Sequence, residues 1–98
     1  MEDEKKVLEL MHEIFSLGVE LSRAGVADVF VDYFGNVDTI QCTVNPANRD
    51  YSDYRLKDVY RKSVGRYEPE GRVQCLEEIL TVLRGFLETP PCEPLENK

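Results

Sequence analysis

The residues able to do chemistry are few, and their spacing suits it poorly. His12 is the only histidine, and the three cysteines stand at positions 42, 75 and 92. A nucleophilic Cys–His pair needs thiol and imidazole within hydrogen-bond reach, so the fold would have to carry Cys42 or Cys75 to His12. Both thiols sit in apolar patterns and read as small buried side chains. Three cysteines without C-x-x-C spacing fit neither a disulfide framework nor a zinc site. Asp28, Asp32 and Asp38 form an acidic set, but a hard cation needs convergent oxygens. Strand alternation puts Asp28 and Asp32 on one face and Asp38 on the other. No G-x-S-x-G, phosphate-loop or H-E-x-x-H pattern occurs. The sequence therefore predicts a protein that is not an enzyme, with no cofactor and no metal.

A denser constellation lies between Tyr51 and Tyr67. Four of the five tyrosines (Tyr51, Tyr54, Tyr60 and Tyr67) are interleaved there with Arg55, Lys57, Arg61, Lys62 and Arg66. From Arg55 to Arg72 six basic residues stand against three acidic ones, in a chain of net charge −7. Tyrosine and arginine are enriched at binding hot spots, because each joins a large contact area to directional hydrogen bonds. The same mixture can stack on bases or hold phosphates. The overall negative field, however, opposes general binding to a nucleic-acid backbone. The predicted partner-binding residues are Tyr54, Arg55, Tyr60, Arg61 and Tyr67, and the predicted partner is another protein. The competing reading packs the tyrosines on helices and pairs the cations with nearby acids.

The elements that must position these residues follow from periodicity. Glu2 to Ala24 reads as a helix with Val7, Leu8, Leu10, Met11, Ile14, Phe15, Leu17, Gly18, Val19 and Leu21 sharing its apolar side. Gly25 is placed to stop it. Its apolar arc covers about half the circumference or more, wider than the ~100° stripe one contact surface needs, so the helix should touch two things. Ala27 to Asn45 reads as a β-hairpin with a two-residue Gly35-Asn36 connection of type II′. That closure pairs Val31 with Ile40, Val29 with Cys42 and Ala27 with Val44 on an apolar face. It pairs Asp32 with Thr39, Phe30 with Gln41 and Asp28 with Thr43 on the other. Pro46 ends the second strand. Tyr51 to Tyr67 fits either a helix capped by Ser52 or a strand with Leu56, Tyr60 and Val64 on one side. A lone hairpin is marginal, which favours a third strand. Pro69 to Glu88 is a second helix with a broad apolar face.

Together these predict an α+β domain over residues 1–88, with an N-terminal helix, an antiparallel hairpin and a C-terminal helix packed on the sheet. Residues 89–98, rich in proline, read as a disordered tail. The surplus apolar helix faces offer a route to a homodimer. Ninety-eight residues suffice for a single core without an obligatory disulfide or metal. No apolar run approaches the roughly 18 residues of a membrane span. The acidic start, MEDEKK, lacks the apolar core of a signal peptide. With unpaired cysteines, the expected setting is the reducing cytoplasm.

The order of helix, Tyr33-Phe34-Gly35-Asn36-Val37 turn and terminal LEEILTVLRGFLE helix resembles small uncharacterised proteins of bacterial phages and prophages. That resemblance implies an αββ(β)α organisation and a non-enzymatic accessory role, and it supplies no site residues. Small acidic phage proteins include inhibitors of host defence or nucleic-acid-processing proteins, acting by surface occlusion or charge mimicry, which is the alternative function. A nucleotide-binding regulator is the other.

Overall fold

The structure is a computed structural model, and it describes residues 4–52 and 57–92. Helix α1 (Glu4–Arg23) is followed by strands β1 (Ala27–Phe34), β2 (Thr39–Pro46) and β3 (Tyr60–Val64), then by helix α2 (Arg72–Glu88). The strands form an antiparallel sheet in the order β1-β2-β3. The two helices lie side by side on one face of it, α1 over β1 and α2 towards β3. The architecture is the α+β arrangement the periodicity predicts, with the open question settled for Tyr60–Val64, which is a strand. Residues 53–56, which include Leu56, lie outside the described residues.

The core is the seam between these layers. Val7, Leu10, Ile14 and Leu21 of α1 and Cys75, Leu76, Ile79, Leu80 and Leu83 of α2 are buried against Ala27, Ile40, Cys42, Val44 and Val64 of the sheet. Burial of such side chains, about 1.5–3 kcal/mol each for the larger ones, is what holds helices to sheet. Gly18 lets α1 come close: a Cβ there would stand 3.0 Å from Val29 Cγ1 and 3.2 Å from Val31 Cγ2.

α1 ends where Gly25, at φ 74°, adopts the left-handed conformation. Its N–H donates to the Ser22 carbonyl at 3.1 Å, and the Val26 N–H donates to the Leu21 carbonyl at 3.0 Å. This is the two-bond Schellman ending, which satisfies carbonyls a helix terminus would leave open. At the other helix the predicted start at Pro69 is corrected. Gly71 has φ 99°, a conformation outside the helix, so α2 begins at Arg72.

The hairpin faces are as the alternation predicts, but the register is not. β1 and β2 pair Val29 with Val44, Val31 with Cys42 and Tyr33 with Ile40 on the helix side, and Asp28 with Asn45, Phe30 with Thr43 and Asp32 with Gln41 on the other. The slip is two residues, and with a side-chain period of two it leaves every face unchanged. The connection is the four residues from Gly35 to Asp38. Positive φ falls on Asp38 (49°) and not on Gly35, and the Val37 N–H turns back to the Phe34 carbonyl at 3.2 Å. A type II′ turn would need Gly35 at positive φ. Asp38 takes that conformation instead because its carboxylate is held from outside the hairpin.

Candidate interaction surface

Of the sequence-predicted residues, the three that the structure describes do not converge. Tyr54 and Arg55 lie outside the described residues. Tyr60 and Arg61 are neighbours on β3 and therefore point to opposite faces. Tyr60 is on the helix side, half-buried against the core, with its hydroxyl buried and without a hydrogen-bond partner among the described residues. Burial pushes its pKa up to about 12. Arg61 is on the outer face, exposed, with its guanidinium 4.0 Å from Asp58. Tyr67 is 87% exposed in the connection between β3 and α2. The basic residues around them stand beside acids: Lys62 Nζ lies 3.1 Å from Glu78, and Arg66 Nε 3.4 Å from Asp38.

The chain after β2 folds back over one end of the outer face. Buried Asn45 donates to Asp58 at 3.0 Å and accepts from Arg49 at 2.9 Å and from the Val59 N–H at 3.0 Å. Tyr51 meets Phe30 edge-on, ring centres 5.9 Å apart, and its hydroxyl donates to Asp28 at 2.8 Å. Phe30 nevertheless stays exposed, as does Phe34 at the far end.

Another apolar surface left open among the described residues lies along the flank of α1. At about 100° per residue, Leu8, Phe15 and Val19 fall roughly 100–140° round the helix from Ile14, on the side away from the Glu13–Arg84 contact with α2. They are 57%, 58% and 40% exposed. Beneath them runs β1, which among the described residues has a strand neighbour on one side only. Two hollows follow this boundary. One, of about 600 Å³, lies between Leu8, Met11 and Phe15 of the helix and Val31, Tyr33 and Ile40 of the sheet. The other, of about 360 Å³, lies between Phe15 and Val19 above and Val29, Phe30 and Val31 below. Phe15 and Val31 line both, so the hollows form one trough.

A charged cluster closes the trough at the hairpin end. Arg72 donates to Asp38 Oδ2 at 3.0 Å, to Oδ1 at 2.9 Å and to the Asp38 carbonyl at 3.0 Å. The Tyr33 hydroxyl donates to Oδ1 at 2.7 Å. The Arg72 guanidinium, and then the Tyr33 hydroxyl, hold the Asp38 carboxyl far below the usual carboxylate range. In return, the bond to Asp38 raises the Tyr33 phenol. These groups bind one another and fix the turn.

Of the groups first considered for catalysis, Cys42 and Cys75 lie in the core and His12 lies on the trough rim. Cys42 is fully buried and burial pushes its thiol up to about 12, the reverse of nucleophile activation. Cys75 is buried and its thiol is raised, by burial and by its bond to Glu70. His12 is exposed on the trough rim. Asp38, bound to Arg72, does not join Asp28 and Asp32. The ligand atoms of Glu68, Glu70 and Cys75 lie within 4.8 Å of one another. There Glu68 accepts the Gly65 N–H and Glu70 the Cys75 thiol. Among the described residues no helix is long and apolar enough to cross a membrane.

The signal for the trough was present in the sequence as surplus width in the apolar arc of α1. What the arc could not tell was which flank the sheet and α2 would leave open. Comparison with protein families, curated proteins and solved structures found no match.

Proposed function

We propose that this domain is a non-enzymatic protein-interaction module whose contact surface is the trough between α1 and β1. The observation that carries the reading is the exposure of Leu8, Phe15 and Val19 in a row directly above a sheet edge. An exposed apolar row of this kind, with His12 at its rim, costs free energy in water, of the order of 25 cal/mol per Å², and contiguous patches mark interaction sites. The Tyr/Arg segment contributes Arg61 and Tyr67 as a second, smaller exposed pair on other surfaces, and Tyr60 supports the core instead.

The test is site-specific photo-crosslinking in the cells that produce the protein, with benzoylphenylalanine at position 15 and, as a control face, at position 77. Discrete protein adducts from position 15 alone support the module. Equal labelling from both positions, or none from position 15, overturns it.

A further inference from the structure

We infer that the trough takes an extended segment of another protein as a fourth strand beside β1, and that this segment carries apolar residues at alternate positions and a basic residue facing Asp32. The inference rests on the module reading and names the chemistry of its partner.

The first argument is one of width. Two helices packed side by side form a layer about 20 Å across, whereas three strands at about 4.8 Å spacing fill about 14 Å. The shortfall is close to one strand, and the two sheet edges treat it differently. Along β3 the overhang is closed by charge: Lys62 pairs with Glu78, and Gln74, Glu77 and Thr81 of α2 surround them. Charged side chains of this kind blunt an edge. Along β1 the overhang is the apolar row of Leu8, Phe15 and Val19, with Val29 and Val31 half-exposed beneath it.

The second argument is the aim of the backbone. The Val29 N–H donates to Ser22 Oγ at 3.0 Å and so points away from β2. The two-residue repeat of an antiparallel ladder gives Val31 and Tyr33 the same outward aim. Ser22 closes one end of the edge. From the Val29 carbonyl to Tyr33 the edge offers the alternating donors and acceptors that strand addition uses.

The third argument is charge. The outer face of β1 carries Asp28 and Asp32, four residues apart with Phe30 between them; Asp28 accepts the Tyr51 hydroxyl, and the Asp32 side chain makes no ion pair or hydrogen bond among the described residues. A strand laid beside β1 turns every second side chain to this face, and at the position beside the Asp32 carboxylate lysine or arginine fits. Its other side chains point under the α1 flank, where apolar residues fit. The chain's net charge of −7 draws such a segment in. A second copy does not fit as occupant. Edge-to-edge pairing sets two β1 strands about 4.8 Å apart, and the α1 helices riding on them would then be closer than the ~8 Å that packed helices need.

A phage-displayed library of random octapeptides, selected on the full chain, tests this. The expected winners carry apolar residues at alternate positions with a lysine or arginine at one of the positions between them. A synthetic peptide of that sequence should slow hydrogen exchange at the Val31 and Tyr33 amides. Asp32→Lys should weaken its binding at least about tenfold and Asp32→Asn less, with the melting temperature unchanged in both. Selection of peptides with helical spacing, of acidic peptides or of none overturns the proposal, as does protection of these amides that grows with protein concentration alone. Those results leave the module reading standing, because that reading falls only if position 15 yields no site-specific adduct.

Discussion

Arg72, the first residue of α2, reaches back to Asp38 in the hairpin connection and grips its carboxylate with both terminal guanidinium nitrogens, at 2.9 and 3.0 Å. Arg72 is 4% exposed, so this pair ties the start of the last helix to the tip of the first hairpin with little help from water. A cation at a helix N-terminus works against the helix dipole. The arrangement makes sense because Asp38 supplies the opposing charge and the pair fixes where α2 begins.

Replacing Asp38 by asparagine should therefore cost stability out of proportion to its size. Asparagine tolerates the positive φ of this position, so the change tests the charge and not the turn. Leaving the guanidinium buried without its carboxylate should cost about 3 kcal/mol, the low end for a broken buried pair. Urea unfolding measures it, and a loss below about 1 kcal/mol, the level of an exposed pair, would contradict the account.

The same pair predicts a pH dependence with a definite sign. The folded-state pKa of Asp38 is depressed, so its contribution is fully present above the ordinary carboxylate value and is lost as pH falls through the folded value. The stability gap between the native chain and Asp38→Asn should be level from about pH 7 to pH 5 and narrow only below about pH 4. A gap that narrowed on raising the pH from 5 to 8 would contradict this sign.

Ile14 and Phe15 are adjacent yet should respond in opposite ways. Ile14 is fully buried, and Ile14→Ala should cost about 2–5 kcal/mol through lost transfer energy and a cavity. Phe15→Ser removes a ring that is mostly in water and should change stability by no more than about 0.5 kcal/mol. Thermal unfolding of the two variants separates a residue kept for the core from one kept for contact.

Two helical glycines give a further contrast. A Cβ at Gly85 would meet nothing within 4 Å, so Gly85→Ala should stabilise by about 0.5–1 kcal/mol through helix propensity. A Cβ at Gly18 would stand 3.0 Å from Val29 Cγ1 and 3.2 Å from Val31 Cγ2, closer than ordinary van der Waals contact, and Gly18→Leu should push α1 off β1 and destabilise by about 1–3 kcal/mol. Equal effects at the two sites would mean that α1 does not sit on β1 as described.

Much of the fold was legible because it rests on local periodicity. The alternation from Ala27 to Val44 fixed both faces of the hairpin, the 3.6-residue spacing fixed the inward sides of α1 and α2, and Gly25 marked the helix end through its own backbone freedom. These are properties of neighbours in the chain. The register was not legible, because Gly35-Asn36 is a good local turn and loses to one stabilised by Arg72, a residue far along the sequence. For the same reason the arrangement of the Tyr/Arg segment was not legible. Tyr60 and Arg61 look like one binding cluster until strand geometry sends them to opposite faces, and Lys62 and Arg66 look like free cations until the fold sets acids beside them.

The candidate surface divides the same way. By itself the sequence determined that α1 carries more apolar surface than one neighbour can cover, since the width of its arc is a count of residues per turn. Only the tertiary structure decided that the surplus, Leu8, Phe15 and Val19, overhangs the open edge of β1. Which edge of a sheet stays open depends on strand order and on where α2 docks, and both arise from contacts between residues distant in the chain.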